Sequence, residues 1–189
     1  MSMPISTPDR AKIADSIAKL SLLRGQFTLR SGRTSSYYLD KYAFSTSPFV
    51  LDGVGDLLQA HLSAIAERLG QPIDRLAGAE LGGIPLVTVA SLKTGLPCLF
   101  VRNAKKGYGT AKQLEGPLVA GDRVVFIEDV ATTAGQALEA VGVLRDAGVE
   151  VVAVLTTIDR LEGARENVES AGLIFDSLFT VRDFGIDAD

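Results

Sequence analysis

Val124-Val125-Phe126-Ile127 runs without a polar residue into Glu128-Asp129, and then into Val130-Ala131-Thr132-Thr133-Ala134-Gly135-Gln136. Four consecutive apolar residues leave no wet face, so a strand built from them is buried on both sides. The small and hydroxyl residues after the acids suit a tight loop, and 136–146 reads as a helix. Three other runs share the character of the first: Leu76-Ala77-Gly78-Ala79, Cys98-Leu99-Phe100-Val101 and Val151-Val152-Ala153-Val154-Leu155. Helical segments are expected at 84–93 and 162–170 as well. Doubly buried strands alternating with helices predict an α/β fold, a central parallel sheet flanked by helices. Ligands of such sheets gather at the carboxyl ends of strands. The loops after Ala79, Val101, Ile127 and Ile158 are therefore where a site is expected.

Upstream, Ser6-Thr7-Pro8-Asp9 reads as a helix start, with Thr7 as N-cap and Pro8 in the first turn. Ile13, Ile17 and Leu20 recur at helical spacing, and Gly25 ends that unit. A polar turn over Arg30–Ser36 feeds Tyr37–Phe44, which reads as a strand. Ser47-Pro48 opens a second helix, with Leu51, Val54, Leu58, Leu62, Ile65 and Leu69 as its buried stripe. No repeat or linker interrupts the 189 residues, a length that predicts one domain over 1–189.

The chain carries 19 Lys and Arg against 23 Asp and Glu, a net charge of −4. That leaves no global basic field, so no nucleic-acid partner is expected. Anion binding must be local, and Arg102, Lys105, Lys106 and Lys112 form one such cluster. The single cysteine, Cys98, excludes an internal disulfide framework, and the single histidine, His61, excludes chemistry needing two imidazoles. No stretch approaches the ~20 apolar residues of a membrane span, and the first residues lack the apolar core of a signal peptide. The expected location is cytoplasmic, with no membrane partner.

Glu128 and Asp129 are neighbours on extended chain, so their side chains diverge. This suits recognition of separate hydroxyls, or magnesium-linked contacts, better than a shared proton. The loop backbone and the start of the following helix can offer N–H groups to a phosphate. Spacing alone equally allows a plain strand-to-helix join capped by Thr132 or Thr133.

The segment 128–136 resembles the phosphoribosyl pyrophosphate (PRPP) motif of type I phosphoribosyltransferases, with Ala134 where glycine is more frequent. The resemblance implies that Glu128 and Asp129 hold the ribose hydroxyls, and that Val130, Ala131, Thr132, Thr133, Ala134, Gly135 and Gln136 cradle the 5′-phosphate. Three more segments resemble the orotate branch of that family. Phe27–Asp40 resembles its base-pocket segment, which makes about 1–45 a small N-terminal hood. Arg30, Tyr37 and Tyr38 would then face orotate, a planar aromatic carboxylate; without the family, the same residues read as a turn whose tyrosines pack in the core. Arg102–Thr110 resembles the mobile catalytic loop, implying that Arg102, Lys105, Lys106 and Tyr108 meet the pyrophosphate, with Lys106 the main catalyst alongside Arg102 and Asp129. Ile158–Ala164 resembles the segment whose arginine, here Arg160, binds the orotate carboxylate, with Thr132 also orienting the base. Glu80-Leu81-Gly82-Gly83 matches the pyrophosphate loop.

Asn103, Tyr108 and Gly82 depart from the family, standing where many members have lysine, histidine and lysine. The reaction implied is orotate and PRPP to orotidine 5′-monophosphate and pyrophosphate, in de novo pyrimidine biosynthesis. Mg²⁺ would be held mainly through PRPP, with no direct protein ligand. The resemblance also implies a homodimer in which the Lys106 loop reaches the neighbouring subunit's site. The alternatives are a phosphoribosyltransferase for another base, or a non-catalytic regulator that binds PRPP or a nucleotide.

Overall fold

Val124, Val125, Phe126 and Ile127 are fully buried, and successive residues serve opposite apolar layers, as the two-residue period of a strand requires. The structure, a computed structural model, describes residues 10–28, 34–103 and 113–187. In chain order its elements are helix α1 (Arg10–Ser21), strands β1 (Leu22–Thr28) and β2 (Thr34–Leu39), helices α2 (Lys41–Ser45) and α3 (Pro48–Leu69), strand β3 (Arg75–Ala79), helix α4 (Gly83–Thr94), strands β4 (Cys98–Val101), β5 (Leu114–Glu115) and β6 (Arg123–Ala131), helix α5 (Gly135–Asp146), strand β7 (Glu150–Asp159), helix α6 (Ala164–Ser170), strand β8 (Ile174–Thr180) and a 3-10 turn (Val181–Phe184).

The main sheet has the order β5-β4-β3-β6-β7-β8. All neighbours in it run parallel except β5, which lies antiparallel on β4. The expected α/β architecture is therefore present. Val125, Ile127 and Leu155 pack toward α1, α3 and α4, through Ile17, Leu58 and Leu86. Val124, Phe126 and Val154 pack toward α5 and α6, through Val141, Leu144 and Val168. Among the described residues no helix is long and apolar enough to cross a membrane.

Several boundaries differ from those read in the sequence. The first helix stops at Ser21, not Gly25, and Leu22–Thr28 pairs with Thr34–Leu39 as an antiparallel hairpin bulged between Arg24 and Phe27. Gly25 sits at that bulge; cross-strand pairing outweighs the helical spacing of the residues before it. Ile13 and Ile17 of α1 are buried, and Leu20, at the same helical spacing, is 46% exposed. The strand through Tyr37 ends at Leu39 because the Asp40 carboxylate accepts from the backbone N–H of Tyr42 and Ala43, at 3.0 and 3.3 Å, and starts α2. β7 is not the last parallel strand: Ile174–Thr180 lies beyond it as β8. The N-cap at Thr7 with Pro8 and the turn at 30–33 lie outside the described residues.

Phe126 is fully buried in the layer under α5 and α6. Phe126→Ala should destabilise the protein by about 3–5 kcal/mol, since the cavity left under two packed helices closes only in part. Urea unfolding measures this; a loss below about 1 kcal/mol would contradict the two-sided burial assigned to β6.

Candidate active site

Strand β6 continues through the acid pair. Glu128, Val130 and Ala131 remain in register with Thr156, Ile158 and Asp159 of β7. The chain then turns over Thr132-Thr133-Ala134 and enters α5. Ala134 takes a left-handed conformation at φ 58°, and no side chain caps the helix. The join capped by Thr132 or Thr133 is therefore not what forms. Glu128, Val130, Ala131, Thr132, Thr133, Ala134, Gly135 and Gln136 all line one cavity of about 360 Å³ at the carboxyl end of β6. A concave loop at a helix N-terminus, with hydroxyls and uncapped N–H groups, is a phosphate-sized receptor.

The two acids divide as adjacent strand residues must. Glu128 faces the cavity. Asp129 lies behind it, 1% exposed, its Oδ1 accepting from the Val130 N–H at 2.6 Å. Gly82, in the loop before α4, presses on this carboxylate: a Cβ at position 82 would lie 1.6 Å from Asp129 Oδ2. Only glycine permits that approach. Lys41, from α2, closes the site, with Nζ 3.0 Å from Asp129 Oδ2. Burial pulls the Lys41 ammonium down, but the Asp129 charge more than offsets this and holds it above the ordinary lysine value. Glu128 is pushed up to about 8, by burial first and by the Asp129 charge second, with Lys41 opposing.

Arg160 sits one strand over. Its backbone N–H donates to Ala131 O at 2.9 Å, which fixes the end of β7 beside the loop. Its guanidinium donates to Tyr37 Oη at 2.9 Å, lies 5.1 Å from the Tyr37 ring centroid, and pairs with Glu162 at 2.9 Å. Tyr37 and Arg160 are thus brought together next to the cavity. Tyr38 is not with them: it lies on the opposite face of the hairpin against Phe27, at 5.7 Å between ring centroids. Arg102 precedes the segment 104–112, its N–H on Gln113 O at 2.8 Å and its guanidinium 4.0 Å from Glu115. It is not among the residues lining the cavity. Arg30, Lys105, Lys106 and Tyr108 lie outside the described residues.

Two participants escaped sequence reading. Lys41 falls within 37–44, which the sequence predicts as strand, but Asp40 caps a helix there and puts Lys41 in its first turn. Asn103 ties the loop root to the Gly82 loop, its N–H on Glu80 Oε1 at 2.8 Å and its Nδ2 on Glu80 O at 3.3 Å. His61 lies apart, with Nδ1 2.7 Å from Asp176 on β8.

The fold and the cavity define a class of enzymes that handle phosphorylated ribose. The phosphoribosyl transferase domain family matches residues 45–188, and the chain belongs to that family. Within it, the chain falls with the orotate phosphoribosyltransferases. That of Methanocella arvoryzae is 47% identical over 154 residues, 82% of this chain and 84% of the relative. The Mycobacterium tuberculosis orotate phosphoribosyltransferase in complex with PRPP superposes with a TM-score of 0.79 at 33% identity, covering 95% of this chain and 100% of the other. The Aeropyrum pernix enzyme gives 0.78 at 33%, covering 92% and 94%.

Glu128 is also a stability liability. With its folded value near 8 against an ordinary 4.5, the folded state keeps a proton that the unfolded chain has released. Stability therefore falls as pH rises between those values. Glu128→Gln should raise Tm at pH 8.5, each kcal/mol recovered adding about 2–4 °C, and leave it nearly unchanged at pH 4.5. Thermal melts at both pH values check this; an equal change at the two would refute the assigned cause.

Proposed function

We propose that this enzyme transfers the phosphoribosyl group of PRPP to orotate, giving orotidine 5′-monophosphate and pyrophosphate in de novo pyrimidine biosynthesis. The observation that carries this reading is the Arg160 guanidinium, held by Tyr37 beside the sugar-phosphate loop. A fork of parallel N–H donors matches a carboxylate, and the Tyr37 ring offers a flat face to a planar base. In the reading, Thr132 stands between base and phosphate, and Arg30 completes the base side from the hood. The chain acts as one domain, 1–189, with about 1–45 as hood.

Orotate N1 bonds to ribose C1 as the bond from C1 to the pyrophosphate oxygen breaks. The bonding pair leaves with pyrophosphate and the N1 proton is released. No protein nucleophile is required, so the protein contributes positioning and charge neutralisation. Glu128 and Asp129 hold the ribose hydroxyls, and residues 130–136 hold the 5′-phosphate. Lys106, with Arg102, Lys105 and Tyr108, meets the negative charge that grows on the leaving group. Mg²⁺ fits this site through hard oxygen donors: the Glu128 carboxylate faces the cavity, while among the described residues no three ligating side chains cluster. It would be held chiefly by substrate phosphates; when bound it neutralises pyrophosphate charge.

The enzyme is also read as a homodimer in the cytoplasm. Phe49, Leu81 and Leu92 support the dimer; they are exposed by 66, 64 and 80% on or beside the adjoining helices α3 and α4. The unpaired thiol of Cys98 fits a reducing compartment.

Loss of orotate absorbance on adding PRPP and Mg²⁺ is the direct test, and no loss would end the reading. Lys106→Ala should lower kcat by about 10²–10³ with little change in KM, because its partner charge exists only in the transition state. Mixing inactive Lys106→Ala with inactive Asp129→Asn should restore activity that neither has alone, if the loop acts across subunits. Mixed samples that stay inactive after subunit exchange would confine the loop to its own subunit.

A further inference from the structure

Lys41 does not belong to the motif that carries the acid pair. It comes from the far side of the hairpin, 88 residues earlier in the chain, and reaches the most buried carboxylate of the site. An ionised carboxylate at that depth needs a partner, since burying a charge unpaired is strongly unfavourable. One Asp129 oxygen is met by the Val130 N–H. The other has Gly82 against it, where no side chain fits. Only Lys41 supplies a cation within 4 Å of Asp129 among the described residues. The same lysine lines the cavity rim opposite the phosphate loop. It is half-exposed, so its charge remains accessible to a ligand.

We propose that Lys41 is a positioning residue for the sugar-phosphate substrate: from the hood it holds and orients the Asp129 carboxylate, and PRPP affinity depends on its charge. The inference rests on reading the cavity as the PRPP site. The titratable groups lining the cavity are Glu128 on β6, Lys41 on α2 and Glu139 on α5, with Asp129 of β6 buried behind them. Three of these four are acids. Lys41, the one cation among the described lining residues, therefore counters the repulsion that an incoming polyphosphate meets. A merely structural Lys41 would tie hood to core and affect both substrates alike. A charge-specific Lys41 affects PRPP first.

The test compares wild type, Lys41→Gln and Lys41→Arg in the full-length enzyme. Lys41→Gln should raise KM and Kd for PRPP about tenfold, the worth of one charge-assisted contact, with the KM for orotate nearly unchanged. Lys41→Arg should recover most of the loss. PRPP binding identical to wild type in Lys41→Gln overturns the proposal. So does a loss shared equally by both substrates and not recovered by arginine. Should Lys41→Gln fail to fold, the ¹⁵Nζ resonance of Lys41 in wild type, assigned with Lys41→Arg, decides: it shifts on adding PRPP, or the proposal falls. Wild type that binds no PRPP at all overturns the cavity reading itself, a result distinct from the others because no substitution is involved.

Discussion

A strand buried on both faces can do chemistry only at its ends. β6 spends Val124 through Ile127 on two apolar layers, so its first side chains available to a ligand are Glu128 and those beyond. The sheet's parallel order then brings the ends of β3 and β7 to the same edge. From β3 comes the Gly82 loop, from β7 comes Arg160, and the carboxylates stand between them. Nothing in this placement depends on the identity of the ligand. It follows from packing helices on both sides of a parallel sheet.

That constraint explains why most of the fold was legible in the sequence. Unbroken apolar runs at 76–79, 98–101, 124–127 and 151–155 announce doubly buried strands. What failed lies at the periphery. β8 contains Asp176 and Ser177, polar residues tolerated because the strand closes one edge of the sheet; Asp176 meets His61 rather than the core. The β1 strand follows a helix with no break, and only its pairing with β2 reveals it. Both failures concern segments whose conformation is set by a distant partner rather than by their own spacing.

The site divides in the same way. The loop 128–136 was readable because one continuous segment supplies nearly every group that lines the cavity. Arg160 and Tyr37 were readable as separate residues, but their contact joins positions 123 residues apart. Lys41 was invisible for a similar reason: a lysine after an aspartate says nothing until α2 is seen to aim it at β6. The unusual Asn103 likewise gains meaning only in the fold. Its two bonds to Glu80 fasten the chain just after β4 to the strand end that leads to Gly82. The first of these bonds uses the backbone N–H that any residue but proline has, while the second uses the side-chain amide, which a lysine there lacks.

The acid pair also shows how binding and stability oppose each other here. Two adjacent carboxylates at a buried strand end repel, and burial disfavours both charges. The protein resolves the conflict unequally. Asp129 receives the lysine and a backbone N–H and is sealed from solvent. Glu128 receives neither benefit in full and holds its proton up to a pH of about 8. An apolar or amide side chain at 128 would suit the folded chain better. The carboxylate at 128 is what the proposed reading requires, since it accepts hydrogen bonds from the ribose hydroxyls. The lysine arriving from the hood belongs to the same logic. From the cavity wall it makes the buried half of the pair tolerable, and Glu128 remains open to the cavity.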